Sequence, residues 1–142
     1  VTELVGKTRA GADLSIMMAR RQDIERVLPG TQRTYLRFAD GEWSGCNLFY
    51  LATPQARAAL ATWRAVEADR KRPWKLVARL GLANLFAYAL GRLTLEDGLA
   101  RLGRRIGVDA GLVRASDGRA AIDVDKPRDL EDVLALIARE QP

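Results

Sequence analysis

The chain has 142 residues, of which 48% are hydrophobic and 29% are charged, a balance typical of a globular domain rather than a disordered chain. With one cysteine and no histidine, it cannot form a disulfide scaffold, a zinc finger or a Ser–His or Cys–His nucleophilic pair. Any bound metal must therefore take oxygen ligands, which indicates magnesium-type chemistry. The net charge of +5 favours anionic partners such as nucleotides, nucleic acid or an acidic membrane surface.

The N-terminal part of the chain predicts three strands and one helix. The apolar run 12–19 is typical of a buried strand, and residues 21–28 of a short helix that ends before a Pro-Gly pair. Apolar residues at 35–38 and 46–51 flank an Asp-Gly pair at 40–41, which is a reversal signal. The second and third strands are therefore predicted to form a β-hairpin.

The middle of the chain, about residues 53–105, predicts helices without strands. Thr53 precedes a proline, and a hydroxyl cap followed by proline is typical of a helix start. Thr94 has the same capping role for a later helix, which Gly107 closes. This block is predicted to be a helical insertion between strands.

The C-terminal part predicts strands at 108–113 and 120–124 and a last helix that opens at Pro127. The alternation of strands and helices predicts an α/β domain with a mixed sheet, formed by residues 1–142 as a single domain. Apolar residues at helical spacing predict a buried stripe on the last helix, which comprises Leu130, Val133, Leu134 and Ile137.

No segment has the pattern of a signal peptide or a membrane span. Residues 1–10 carry three charges, and the apolar stretch 80–90 is far shorter than the roughly 20 residues that a span needs. A single unpaired cysteine, Cys46, fits a reducing compartment. The sequence therefore predicts a cytoplasmic protein without an integral membrane segment.

The segment AIDVDKPRDL, residues 121–130, carries two aspartates immediately before a helix. On a strand, Asp123 and Asp125 would both lie near its carboxyl end, where α/β sheets bind ligands. Asp125 can then reach a metal or a phosphate. Alternatively, Asp125 caps the helix that starts at Pro127, and Asp129 complements the helix dipole.

The run DVDKPRDLEDV resembles the D-x-D-T-P-E-D-L signature of nucleotidyltransferases with a Rossmann-like sheet, which include the molybdenum-cofactor guanylyltransferase-like (MobA-like) group. The resemblance implies transfer of a nucleotidyl group from a nucleoside triphosphate to a phosphorylated small-molecule acceptor, with release of pyrophosphate. It implies Mg²⁺ as cofactor, held by Asp125, with Asp123 as a weaker candidate. Lys126 and Arg128 stand where the family has threonine and glutamate.

The resemblance extends to residues 34–38 and 44–49, which are similar to the acceptor-side segment of the family. It implies that Asn47 contacts the substrate and that Gly45 lets a ligand approach the backbone closely. The alternative for Asn47 is a turn or edge residue whose side chain bonds its own backbone. For Cys46, the absence of a base favours core packing over nucleophilic chemistry.

Two features of the family do not occur in the sequence. One is the glycine-rich loop whose backbone N–H groups cradle the nucleotide phosphates, and the other is an earlier aspartate that supplies a second metal ligand. The resemblance therefore implies the C-terminal portion of such a domain, without the N-terminal strands. We expect little or no transferase activity from this chain, no assignable catalytic residue, and an exposed sheet edge that favours homo-oligomers.

A basic block at residues 64–79 includes Arg70 and Lys71, which are candidate contacts for substrate phosphates. The block can also be a solvated helix face. It supports an alternative function, a non-catalytic basic α/β module that binds nucleic acid or an acidic partner. The apolar and arginine-rich region 74–102 could meet the sheet, a dimer partner or a membrane surface.

Overall fold

A computed structural model of the protein describes residues 1–31, 33–68 and 81–140. In these ranges four strands form one mixed sheet. The strands are β1 (Leu14–Arg20), β2 (Leu36–Phe38), β3 (Gly41–Leu51) and β4 (Ala110–Arg114). Their order is β2-β3-β1-β4, in which β3 runs antiparallel to β1 and β2, and β4 runs parallel to β1.

Six α-helices and two short 3₁₀ helices surround this sheet in the described ranges. The α-helices are α1 (Thr2–Lys7), α2 (Arg21–Val27), α3 (Arg57–Ala68), α4 (Leu82–Ala89), α5 (Leu95–Arg105) and α6 (Pro127–Glu140). The 3₁₀ helices are Pro54–Ala56 and Gly118–Ala121.

The core lies on both faces of β1, because successive residues of a strand point to opposite sides. Met17 packs with Ile24 of α2 in one buried cluster. Met18, the next residue, packs with Trp43 and with Leu95 of α5 in another. Helices therefore cover both faces of the sheet, and the α/β fold class predicted from the sequence is confirmed.

The strand and helix predictions for the N-terminal part and for the helical block are confirmed in the described residues. The hairpin of β2 and β3 reverses at residues 39–40, and no strand occurs in 53–68 or 81–105. As predicted, Thr94 caps α5, since its hydroxyl oxygen accepts the backbone N–H of Asp97 at 3.1 Å. Thr53 instead precedes a 3₁₀ helix, and its hydroxyl donates to the carboxylate of Asp13.

The predicted strand at 120–124 is wrong. A 3₁₀ helix occupies Gly118–Ala121, and residues 122–125 follow in an irregular conformation. The carboxylate of Asp117 accepts the backbone N–H of Arg119 and so satisfies the start of the 3₁₀ helix. Gly118 packs directly on the backbone of α2 at Asp23, and this tertiary contact has no counterpart in a local sequence pattern.

The predicted burial of α6 is also wrong, although the helix itself is confirmed. The side chains of Leu130, Leu134 and Ile137 are 47% to 56% exposed. Within the described residues, none of the clusters of buried side chains includes a residue of α6. Helical periodicity shows which side chains share a face, but it does not show whether another element covers that face.

None of the described helices is long and apolar enough to cross a membrane.

The helix α1, which no sequence pattern predicted, is held at the sheet by Glu3. The carboxylate of Glu3 accepts the backbone N–H of Ser116, just after β4, at 2.8 Å.

Candidate functional site

A cleft of about 580 Å³ opens beside β3, next to the carboxyl end of β1. Residues from three separate parts of the sequence line it, within 28–34, 44–47 and 122–132. Gly45 and Asn47 come from β3, and Asp123 and Asp125 come from the irregular segment before α6. The four residues that the two sequence motifs predict as substrate and metal contacts therefore lie around one cleft.

Asn47 reaches the cleft because β3 bulges at this position. In the ladder between β1 and β3, Ile16 pairs with Phe49 and Met18 pairs with Gly45, so β3 has two extra residues between these pairs. Asn47 lies within the bulge with φ of 53°, a left-handed conformation that asparagine tolerates better than most residues. Its amide Nδ2 donates to Asp123 Oδ2 at 2.9 Å, and not to its own backbone.

Gly45 lies in the same stretch of β3 and has ample space around it. A methyl carbon placed on it would meet only the sulfur of Met18, at 3.9 Å, which is an ordinary contact. The chain itself therefore does not require glycine here, and a requirement for glycine would have to come from a ligand.

Asp123 is already occupied by two partners. Arg33 Nη2 lies 2.8 Å from Asp123 Oδ1, while Asn47 donates to the other oxygen. Arg33 comes from the loop after α2, and its side chain is only 18% exposed. Nothing in the local sequence distinguishes Arg33 from the many other arginines of this chain, so the sequence does not predict it as a site residue.

The aspartates around Pro127 have roles that differ from the capping interpretation. The carboxylate of Asp129 accepts the backbone N–H groups of Asp125 and Lys126, at 3.0 and 2.8 Å, and thereby caps α6. The prediction that Asp125 caps this helix is therefore wrong. The carboxylate of Asp125 is exposed in the cleft wall, and no bond to it is seen among the residues whose side chains the structure describes.

The lining of the cleft is acidic although the protein is basic. Two cations, Arg33 and Lys126, face four carboxylates. The carboxylates belong to Asp123, Asp125, Asp129 and Asp132. This excess of negative charge favours a cation in the cleft and disfavours an anion that arrives alone.

Of the two predicted metal ligands, Asp123 is already bonded through both oxygens, whereas Asp125 is exposed. In the described ranges, no three acidic or cysteine side chains converge on a common point that could hold a metal ion. Mg²⁺, however, is often held by one or two carboxylates together with water and substrate phosphates. Asp125 is compatible with that role because its oxygens are open, whereas both oxygens of Asp123 are engaged.

Cys46 lies next to Asn47 in the sequence, but it belongs to the core and not to the cleft. It packs in the buried cluster around Met17, as predicted. Burial raises the pKa of its thiol to about 11. At neutral pH the thiol therefore stays protonated and is a poor nucleophile.

The predicted phosphate contacts Arg70 and Lys71 lie outside the described residues, as does most of the basic block. The alternative function, binding of nucleic acid or an acidic partner through this block, therefore stays a prediction. The acidic cleft is not suited to a nucleic-acid backbone.

The chain is similar to a solved structure described as a hypothetical transferase from Thermus thermophilus, with a TM-score of 0.78 and 34% sequence identity. The match covers 91% of this chain and 55% of the other, so the chain spans about half the length of the structure that it matches. No protein-family model and no curated protein matches the sequence. The similarity agrees with the α/β fold described above.

Proposed function

We propose that this chain forms the acceptor and metal side of a MobA-like nucleotidyltransferase site. The observation that carries the proposal is the cleft itself. Asn47 and Asp123, which belong to separate sequence motifs, are bonded to each other in its wall, beside Gly45 and Asp125. The likeness to a structure described as a transferase supports group transfer in general terms.

In the proposed reaction, a phosphate oxygen of the acceptor attacks the α-phosphorus of a nucleoside triphosphate. The bond between the α-phosphorus and the oxygen that bridges to the β-phosphate breaks, and pyrophosphate leaves. Catalysis of such a step depends mainly on positioning and on neutralising charge. The cleft offers both, because Asn47 can orient an acceptor and the exposed ammonium group of Lys126 can approach a phosphate.

The proposed cofactor is Mg²⁺, which would supply charge neutralisation at the transferring phosphoryl group. Asp125 would hold it together with substrate oxygens, since its carboxylate is the open one of the pair. The acidic lining implies that phosphate groups bind weakly here without a divalent cation. Substrate binding and metal binding are therefore expected to depend on each other.

This coupling can be measured with Mn²⁺ as a paramagnetic substitute for Mg²⁺ and inorganic pyrophosphate as a phosphate ligand. We expect Mn²⁺ to broaden the backbone ¹⁵N–¹H signals of Asp125 and Lys126 more strongly when pyrophosphate is present. The broadening also gives an apparent affinity for Mn²⁺. In Asp125→Asn this affinity should fall by about tenfold or more, because the substitution removes a metal ligand.

Glu131→Gln is the matched control, since Glu131 is an exposed carboxylate of α6 outside the cleft lining. It should leave the broadening unchanged. Equal affinities for the parent chain and Asp125→Asn, or an equal loss in Glu131→Gln, would contradict the metal site.

We also propose that the 142 residues by themselves do not turn over a nucleoside triphosphate, because the sequence contains no glycine-rich phosphate loop. The measurement is pyrophosphate release from each common nucleoside triphosphate by the purified chain with Mg²⁺. We expect no release above the blank. Release at an enzyme-like rate would overturn this part of the proposal.

A further inference from the structure

The contact between Asn47 and Asp123 fixes which end of the amide faces the carboxylate. An ionised carboxylate only accepts hydrogen bonds, so the group that lies 2.9 Å from Asp123 Oδ2 must be the NH₂ end of the amide. The carbonyl oxygen Oδ1 cannot bond Asp123. It remains available as an acceptor on an exposed residue in the wall of the cleft.

Arg33 restricts Asp123 in turn. Its guanidinium lies 2.8 Å from the oxygen that Asn47 does not use, so the carboxylate is bonded from both sides. With its side chain 18% exposed, Arg33 is more shielded than a typical surface cation. The carboxylate therefore has little freedom to rotate away from the amide.

The backbone adds a third restriction. The bulge in β3 and the left-handed φ of 53° set the direction in which the Asn47 side chain leaves the chain. A side-chain group that backbone and side-chain contacts already hold in place loses little entropy when a substrate binds. Such preorganisation is costly to build and is typical of functional sites.

We propose that Arg33 and Asp123 act as positioning residues that hold the Asn47 amide with Oδ1 toward the cleft. This corner of the cleft then selects a substrate group that donates a hydrogen bond, such as a sugar hydroxyl or an amine. A phosphate oxygen, which only accepts, is not matched by Oδ1. This proposal deepens the proposed function and rests on it only for the class of substrate. The contacts among Arg33, Asp123 and Asn47 themselves involve neither a nucleotide nor a metal.

The first test uses the side-chain ¹⁵NH₂ signals of Asn47 in the free chain. In the parent protein we expect two distinct proton signals, of which the one bonded to Asp123 exchanges slowly with water. Arg33→Gln should speed this exchange and reduce the order parameter of the amide, and Arg33→Lys should restore part of both. A merely structural role of Arg33 would change the melting temperature without this local effect.

Arg37→Gln is the control, because Arg37 is 81% exposed, pairs with Glu42 and does not line the cleft. It should leave the Asn47 signals unchanged. Loss of slow exchange in Arg37→Gln, or its persistence in Arg33→Gln, would overturn the positioning role.

The second test compares methyl glucoside with its fully O-methylated derivative, two uncharged ligands of which only the first has hydroxyl donors. In the parent chain we expect methyl glucoside to shift the Asn47 amide and to bind about threefold to tenfold more tightly, as one added hydrogen bond allows. In Arg33→Gln this preference should disappear.

Equal binding of the two ligands, or no shift at Asn47 with either, would overturn the donor selection. An equal loss of affinity for both in Arg33→Gln would show that Arg33 contacts the ligand directly and would overturn its role as a positioning residue. Both tests omit Mn²⁺ and nucleotides. Their results therefore do not depend on the metal site, and they do not test it.

Discussion

Gly118 begins the 3₁₀ helix that precedes the cleft-lining segment, and it packs directly against α2. A methyl carbon at this position would lie 2.2 Å from the carbonyl oxygen of Asp23 and 2.6 Å from the backbone nitrogen of Ile24. Both neighbours are backbone atoms within a helix, so they cannot rotate away as a side chain could. Glycine is therefore required here by close packing and not by an unusual φ.

We predict that Gly118→Ala lowers the free energy of unfolding by about 1–3 kcal/mol or more, as overpacking does in tightly packed sites. Urea denaturation followed by circular dichroism measures this change. Gly6→Ala is the control, because no atom lies within 4 Å of the added methyl and α1 is helical there. A loss in Gly118→Ala no larger than that in Gly6→Ala would contradict the close approach.

Three aspartates in one short motif have three different environments. Asp123 is bonded to Arg33 and Asn47, Asp129 caps α6, and Asp125 is open to the cleft. The sequence predicts that carboxylates matter here, but their roles depend on neighbours that are distant in the chain.

At the scale of elements, α6 differs from α2 in how much of its apolar face is covered. Ile24 of α2 is completely buried between the helix and the sheet, whereas Leu134 of α6 is 56% exposed. The apolar faces of α2 and α6 therefore contribute differently to stability, although both have apolar residues at helical spacing.

We predict that Ile24→Ala lowers the free energy of unfolding by about 2–5 kcal/mol, the usual cost of a large-to-small change in a core. Leu134→Ala should cost less than about 1 kcal/mol, because little of its side chain is removed from water. Chemical denaturation of the two variants and the parent gives both values. A similar loss in both variants would indicate that α6 is covered in solution.

The elements that the sequence predicted well are those with strong local signals. The apolar run of β1, the Asp-Gly pair of the hairpin and the Thr94 cap of α5 depend on residues close together in the chain. The strand predicted at 120–124 failed because the conformation there depends on Gly118 meeting α2, which lies about a hundred residues earlier.

At the scale of the whole molecule, several carboxylates link separate elements through hydrogen bonds and ion pairs. Lys7 and the N–H of Ser116 bond Glu3 and lower its pKa from an ordinary 4.5 to about 2. Arg114, at the end of β4, lowers the pKa of Asp23 in α2. The folded state therefore favours the charged form of these carboxylates more strongly than the unfolded state does.

Because these pKa values are lowered by folding, the stabilisation is complete above the ordinary carboxylate pKa and is lost as the pH falls through the folded value. For Glu3 the loss is expected between about pH 4.5 and about pH 2. The measurement is the melting temperature against pH. Glu3→Gln should melt lower than the parent at neutral pH and lose less on acidification, whereas parallel profiles would contradict the role of Glu3.

The sequence by itself determined the α/β class, the order of the main elements and two motifs that carry polar residues. It could do so because helix caps, turn residues and apolar periodicity act over a few residues. It did not determine that the motifs share a cleft, that Arg33 belongs to it, or that Asp125 rather than Asp123 has open oxygens. Only the tertiary structure decided these points, because the bulge in β3, the contact at Gly118 and the bonds to Asp123 join residues that are far apart in the chain.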